Sequence, residues 1–308
     1  MRWLCIYWVL ENCTASWAKF VVRVIGGTMR AAVAMTFSKA LPTSLLLLCA
    51  LISVAQQKTE LSYQVGPKAV ISIANNYGPI TIKPSPTGEI LITMISHSKA
   101  VSFENEQHGN RVQLRSVSPA QGANLAEFTA LVPSNACVTL QSSSGVLRAD
   151  GLQGDLVLET ATGAVEVNNI RESHVHVHAL SGPITLAGIH DSHLDVNSVS
   201  GDINLRDITG SSAVVHSGTG RIAYQGDPGP AGAYRLTSHS GDIEVSIPAT
   251  SSVDISSRSM SEQSRPELAA IESGNNTDRK SFLPKSKISK ASVFVLRTFR
   301  GKIRIQRP

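Results

Sequence analysis

Between residues 144 and 245, apolar and polar residues alternate in short runs that return at a nearly fixed interval. Each run opens with a small polar residue and a glycine: Ser144-Gly145, Thr162-Gly163, Ser181-Gly182, Ser200-Gly201, Thr219-Gly220 and Ser240-Gly241. Successive glycines lie 18, 19, 19, 19 and 21 residues apart, a regularity that irregular loops would not keep. Two and four residues after the glycine the positions are apolar, as at Ile184 and Leu186 or Ile203 and Leu205, with Thr185 and Asn204 between them. That is the period-2 alternation of a strand with one buried face. A second strand precedes the next glycine, with apolar residues five and seven places before it (Leu158 and Leu156, Val177 and Val175, Val196 and Leu194). Each unit of about 19 residues therefore supplies two short strands.

One such unit cannot bury its apolar face alone, but stacked units enclose a continuous core between two sheets. The pattern predicts an all-β β-solenoid of two-strand repeats. An antiparallel β-sandwich or prism remains the alternative, because alternation alone does not fix pairing direction. Weaker copies at Tyr77-Gly78-Pro79-Ile80 and Arg300-Gly301-Lys302-Ile303 carry the repeat towards both ends. Gly78, Gly145, Gly163, Gly182, Gly201, Gly220, Gly241 and Gly301 are expected at corners that demand positive φ or tight backbone approach. Residues 56–144 read as a less regular β part, 145–255 as the regular repeats, 256–290 as a flexible insertion rich in serine and charge, and 291–308 as terminal strands. There Arg297, Arg300, Lys302 and Arg304 would guard an exposed sheet end, or draw the chain to anionic lipid or cell-wall polymer.

Composition changes sharply at about residue 55. All three tryptophans and three of the four cysteines precede it. From Met29 or Met35 a basic stretch leads into the apolar run Leu41 to Val54, which ends at Ser53-Val54-Ala55. This is the pattern of a signal peptide over residues 29–55, with 1–28 an upstream extension before the true start. The unbroken apolar stretch is too short for a bilayer anchor, so no stable transmembrane anchor is expected in the mature chain. Cys137 is then the sole cysteine, which leaves no intramolecular disulfide and reads as a small buried apolar residue.

The formal charge of +5 dissolves when it is resolved along the chain. Residues 279–308 hold ten Lys or Arg and no acid, whereas 56–278 hold 13 basic and 22 acidic residues. An acidic body with a basic end is not a nucleic-acid-binding composition. The motifs Ser200-Gly201-Asp202-Ile203-Asn204-Leu205 and Ser240-Gly241-Asp242-Ile243-Glu244-Val245 resemble those of the bacterial putative-adhesin family, a β-strand-repeat domain of unknown function. The resemblance covers about residues 60 to 308. It implies an exported cell-envelope domain, for which adhesive or envelope-stress roles have been suggested, and it carries no catalytic residues.

One cluster of candidate chemistry stands out, His174-Val175-His176-Val177-His178, whose imidazoles share one outward face. In a parallel stack His193 would stand beside His174 and Asp195 beside His176, while Asn197 and then His216 would follow in the column of His178. Neighbours one strand apart could share Zn²⁺, Ni²⁺ or Cu²⁺, form a pH-sensitive contact surface, or simply solvate the face. Asp202 and Asp242 read as turn caps. No cofactor is expected and no enzymatic motif is present. The sequence therefore predicts an exported, non-enzymatic interaction module, periplasmic, surface-bound or secreted, whose partner is a protein or cell-surface polymer. A periplasmic scaffold or envelope-stress sensor is the alternative, and a polysaccharide-cleaving β-helix is a third reading.

Overall fold

The computed structural model describes residues 57–98, 101–117, 126–260 and 291–308. The extension, the signal segment and most of the 256–290 insertion lie outside the described residues. The chain forms two 11-stranded sheets, and no helix occurs among the described residues. The strand before each corner glycine joins the back sheet, and the strand after it joins the front sheet. Within the repeat every neighbour is parallel and in register, for example His174–Ala179 on His193–Ser198 and Val165–Arg171 on Ile184–His190. The stack is therefore a solenoid, and the antiparallel sandwich is excluded.

Its order is decided by one corner. A Cβ added to Gly201 would stand 1.8 Å from the Gly182 carbonyl oxygen, and one added to Gly220 would stand 2.0 Å from that of Gly201. Each corner glycine thus rests directly on the peptide of the corner below. Positive φ is not the general reason for glycine here. In this column φ is positive only at Gly78 (108°) and Gly182 (135°).

The residue three places before the glycine supplies the second half of the corner. Ser142, Thr160, Ser198, Ser238 and Thr298 accept the N–H of their own corner glycine at 2.8 to 3.0 Å. These side chains are buried, and their polarity is met inside the corner. The two glycines with positive φ follow Asn75 and Ala179, which offer no hydroxyl, and both precede a proline. At the opposite bend, registers skip Asn169 and Gly188, which lie at φ 55° and 63°, as does Asp207 at 51°. Asn, Asp and Gly are the residues that tolerate this left-handed geometry.

Both ends depart from chain order. The first coil, Val70–Asn75 and Ile80–Pro84, sits between the coil Arg111–Val117/Ala126–Val132 and the coil Cys137–Ser142/Leu147–Asp150. The antiparallel pairs among the described strands are confined to this end, where Gln57–Tyr63, Ile90–Ser96 and Ser102–His108 form the rim. Neither sheet breaks at 144/145, where the sequence suggested a division. At the other end Val253–Ser259 pairs with Ser292–Thr298. The strand therefore runs through Ser256, where the insertion was expected to begin. Arg297 consequently lies on an inner strand, and the outermost back strand carries Arg258; on the front sheet Arg304 does lie on the edge strand, Ile303–Gln306. Cys137 is half-buried on the outward face, between buried Ala136 and Val138, and so is not a core residue.

Between the sheets, aliphatic residues fill the middle and aromatic residues fill the ends. Phe103 meets Phe128 edge-on at 5.5 Å near the first rim. Tyr234 stacks on Phe294 at 4.6 Å, with Tyr224 edge-on to that ring at 5.3 Å. The hydroxyl of Tyr224 donates to the Ile208 carbonyl (2.9 Å) and that of Tyr234 to the Pro228 carbonyl (2.8 Å). Burial pushes both phenols up, Tyr234 to about 12 and Tyr224 further.

Two outcomes follow from these contacts. Gly201→Ala should lower unfolding free energy by about 2–4 kcal/mol in urea titration, and Ser198→Ala by about 1–3 kcal/mol. Gly88→Ala, where nothing lies within 4 Å but φ is 74°, should cost only about 1 kcal/mol. Neutral Tyr224 and Tyr234 stabilise the fold fully below the ordinary phenol value of 10. Above it the unfolded chain ionises first, so stability falls as pH rises towards the folded values. Tyr234→Phe should shrink that alkaline loss in denaturation followed from pH 9 upward.

Candidate functional site

The two outward faces treat their charges differently. On the front sheet Arg148 meets Glu166 on the next rung at 2.8 Å, and Glu244 is held by Arg304 at 2.7 Å and by Arg221. Unlike charges one strand apart are favourable cross-strand neighbours, so this face satisfies itself.

The back sheet carries a different column along its corner. Four residues before the corner glycine stand Gln141, Glu159, His178, Asn197, His216, Thr237 and Arg297, in direct register from strand to strand. Two residues further on, at the corner itself, stand Ser143, Ala161, Leu180, Val199, Gly218, His239 and Phe299. Backbone bonds continue the parallel ladder through this bend, from Ser181 N–H to Ala161 O (2.7 Å) and from Ser200 N–H to Leu180 O (3.0 Å). The corner is therefore a fixed wall. Between wall and strands runs an open gutter, of which the part from Arg115 to Val199 encloses about 870 Å³.

Two properties mark this gutter. Leu180 and Val199 project from its wall at 61% and 58% exposure, each directly after a buried residue, Ala179 and Ser198. Its polar floor repeats at one strand spacing, about 4.8 Å, and is only partly self-satisfied. Gln141 donates to Glu159 at 2.9 Å. His178 and His216 have no side-chain partner among the described residues.

The histidine patch expected from the sequence lies on the same face. His174 and His193 stack at 5.0 Å with rings 9° from parallel. The Nδ1 of His174 is 3.1 Å from the Asp155 carboxylate, and the Nδ1 of His193 is 2.8 Å from the Ser212 hydroxyl. His176 lies 3.8 Å from Asp195, whose other oxygen accepts Asn197 at 3.0 Å. His178 and His216 flank Asn197 two strands apart. The imidazoles of His174, His176 and His193 thus divide among separate partners, Asp155, Asp195 and Ser212. Among the described residues no three His, Cys, Asp or Glu side chains come together as a shared ion requires.

The chain belongs to the Toastrack DUF4097 family. The family model matches residues 69–295, from the first coil through most of the last back strand, so the Toastrack region contains the whole gutter floor from Gln141 to Thr237. No curated protein matches the chain. Among solved structures, a putative adhesin from Bacteroides fragilis NCTC 9343 is similar at 12% identity and a TM-score of 0.48, covering 81% of this chain and 97% of that one. A putative cell adhesion protein from Clostridium sporogenes ATCC 15579 is similar at 14% identity and a TM-score of 0.29, covering 82% and 100%. No helix among the described residues of this Toastrack chain is long and apolar enough to cross a membrane.

The gutter was not singled out by sequence reasoning, although its signal is present. Aligning the repeats on glycine and reading two places before it yields Ser143, Ala161, Leu180 and Val199. Leu180 and Val199 are the large apolar residues of this set and point to the exposed wall.

Proposed function

We propose that the chain is an exported, non-enzymatic interaction module that holds another envelope macromolecule, a protein or cell-surface polymer, along the back-sheet gutter. The observation that carries this reading is the exposed apolar wall at Leu180 and Val199 beside a periodic, partly unpaired polar floor. Front-sheet charges are already paired across rungs, so that face has less to offer a partner. The polar groups of the gutter repeat and do not converge on one point. Such an array supports many similar contacts along an extended partner, and affinity then grows with the number of rungs covered.

Two measurements test this. In cells making the tagged full chain, added protease should digest it without permeabilisation if the partner is outside; protection until permeabilisation would place the partner in the periplasm. In either case Leu180→Asp with Val199→Asp should reduce retention of the chain on isolated envelopes by about tenfold or more. Unchanged retention, with the variant still folded by circular dichroism, would overturn the assignment of the gutter.

A further inference from the structure

The gutter does not end at Val199. Its floor continues through His216 and Thr237 to Arg297 on Ser292–Thr298 and Arg258 on Val253–Ser259, which are direct register partners. Its wall continues through His239 to Phe299, whose rings stack at 5.2 Å and 5°. Met260 bonds backbone to backbone with Thr298 beside them, and is 66% exposed. The far stretch of the gutter thus has an aromatic and thioether wall over a guanidinium floor.

Among the described residues that floor lacks counter-charges. Like charges directly opposite on neighbouring strands destabilise a sheet, yet Arg258 and Arg297 stand side by side, both exposed and neither side chain with a hydrogen bond or ion pair among the described residues. The acid on the Arg258 strand, Asp254, is four residues away, about 13 Å along the strand and beyond the screening length at physiological salt. The contrast with the rest of the stack is sharp. Residues 126–250 hold thirteen acids against five Lys or Arg, while 251–260 and 291–308 hold one acid against six. Arg235, two places before Thr237 on the neighbouring strand, and exposed Arg300 add further cations with no ion pair among the described residues.

We infer that the stretch of gutter from His216 to Arg258 binds an acidic polysaccharide, its carboxylates on Arg258 and Arg297 and its ring faces against Phe299 and Met260. This rests on the gutter being the contact site and names the partner chemistry for one end of it. A guanidinium pair matches carboxylates, which it can hold through two parallel N–H bonds each. The wall selects against small anions, because exposed apolar side chains gain only from a ligand that covers them. The direction of the gutter matters as well. Rungs follow one another along the stack axis, so a linear polymer lying in the gutter meets Arg258 and Arg297 in succession, then Thr237 and the imidazole of His216 on the same line. At the other end Glu159 stands on the floor and repels the same ligand, which confines it to the Arg258 half.

The test uses the full chain and polygalacturonate as probe, by affinity electrophoresis and calorimetry. Binding is expected, weakening as salt rises, and R258E/R297E should lower affinity by about tenfold or more. R258K/R297K should retain charge but lose the paired bonds and fall between the two. Phe299→Ala should weaken polygalacturonate without affecting solubility or circular dichroism. Equal binding of neutral dextran, or binding only to phosphatidylglycerol vesicles, would overturn the proposal, as would indifference to R258E/R297E. If polygalacturonate fails to bind while L180D/V199D still releases the chain from envelopes, the gutter stands and this ligand class falls. If neither variant affects envelope retention, the gutter itself is wrong.

Discussion

Everything in this molecule depends on the contact between one peptide and the next at the glycine corner. A glycine resting on the carbonyl of the corner below sets how closely successive coils approach, and the spacing of both sheets follows from it. A side chain there would force apart the corner, then the hydrogen-bond ladder on either side. The hydroxyl three residues earlier makes the arrangement specific, because it occupies the glycine N–H that the ladder would otherwise leave buried and unpaired. Once the corners are in register, Val175 must face Leu194 and His174 must face His193. The outward columns are therefore a by-product of the packing constraint, and whatever chemistry they carry is aligned without any design of its own.

This explains which parts of the structure are legible in the sequence. The period, the two strands per repeat and the neighbours of each histidine can all be read, because a corner that admits only glycine writes itself into the chain every nineteen residues or so. The column of Ser142, Thr160, Ser198, Ser217, Ser238 and Thr298 is equally regular in the sequence. It is easily passed over, because buried hydroxyls break the expectation that inward columns are apolar. Asn169, Gly188 and Asp207 look unrelated until their shared left-handed backbone is seen.

What sequence periodicity could not supply was order in space. Nothing in Val70–Pro84 announces that a later coil will slide in on its outer side, and nothing in Val253–Ser259 announces that Ser292–Thr298 will come between it and the stack. Pairing between strands distant in sequence depends on edges left open elsewhere, which no local pattern encodes. The same limitation hid the meeting of Arg258 with Arg297, 39 residues apart in the chain and each unremarkable alone. Cys137 was misplaced for a simpler reason. Flanked by Ala136 and Val138, it looked apolar by company, whereas alternation puts it on the opposite face from both.

The interleaved ends also govern the order of assembly. The coil at Val70–Pro84 is covered on one side by Arg111–Val132 and on the other by Cys137–Asp150, so it has no completed neighbour when it first emerges from a ribosome or a translocation pore. Its docking waits for residues made later. At the far end Val253–Ser259 has no strand to pair with until Ser292–Thr298 exists. The in-order coils from Cys137 to Ser246 can add one to the next as they appear, which makes them the natural nucleus, and the two rims close over it afterwards. A chain released early would thus leave both sheet margins open, each a template for pairing with another molecule.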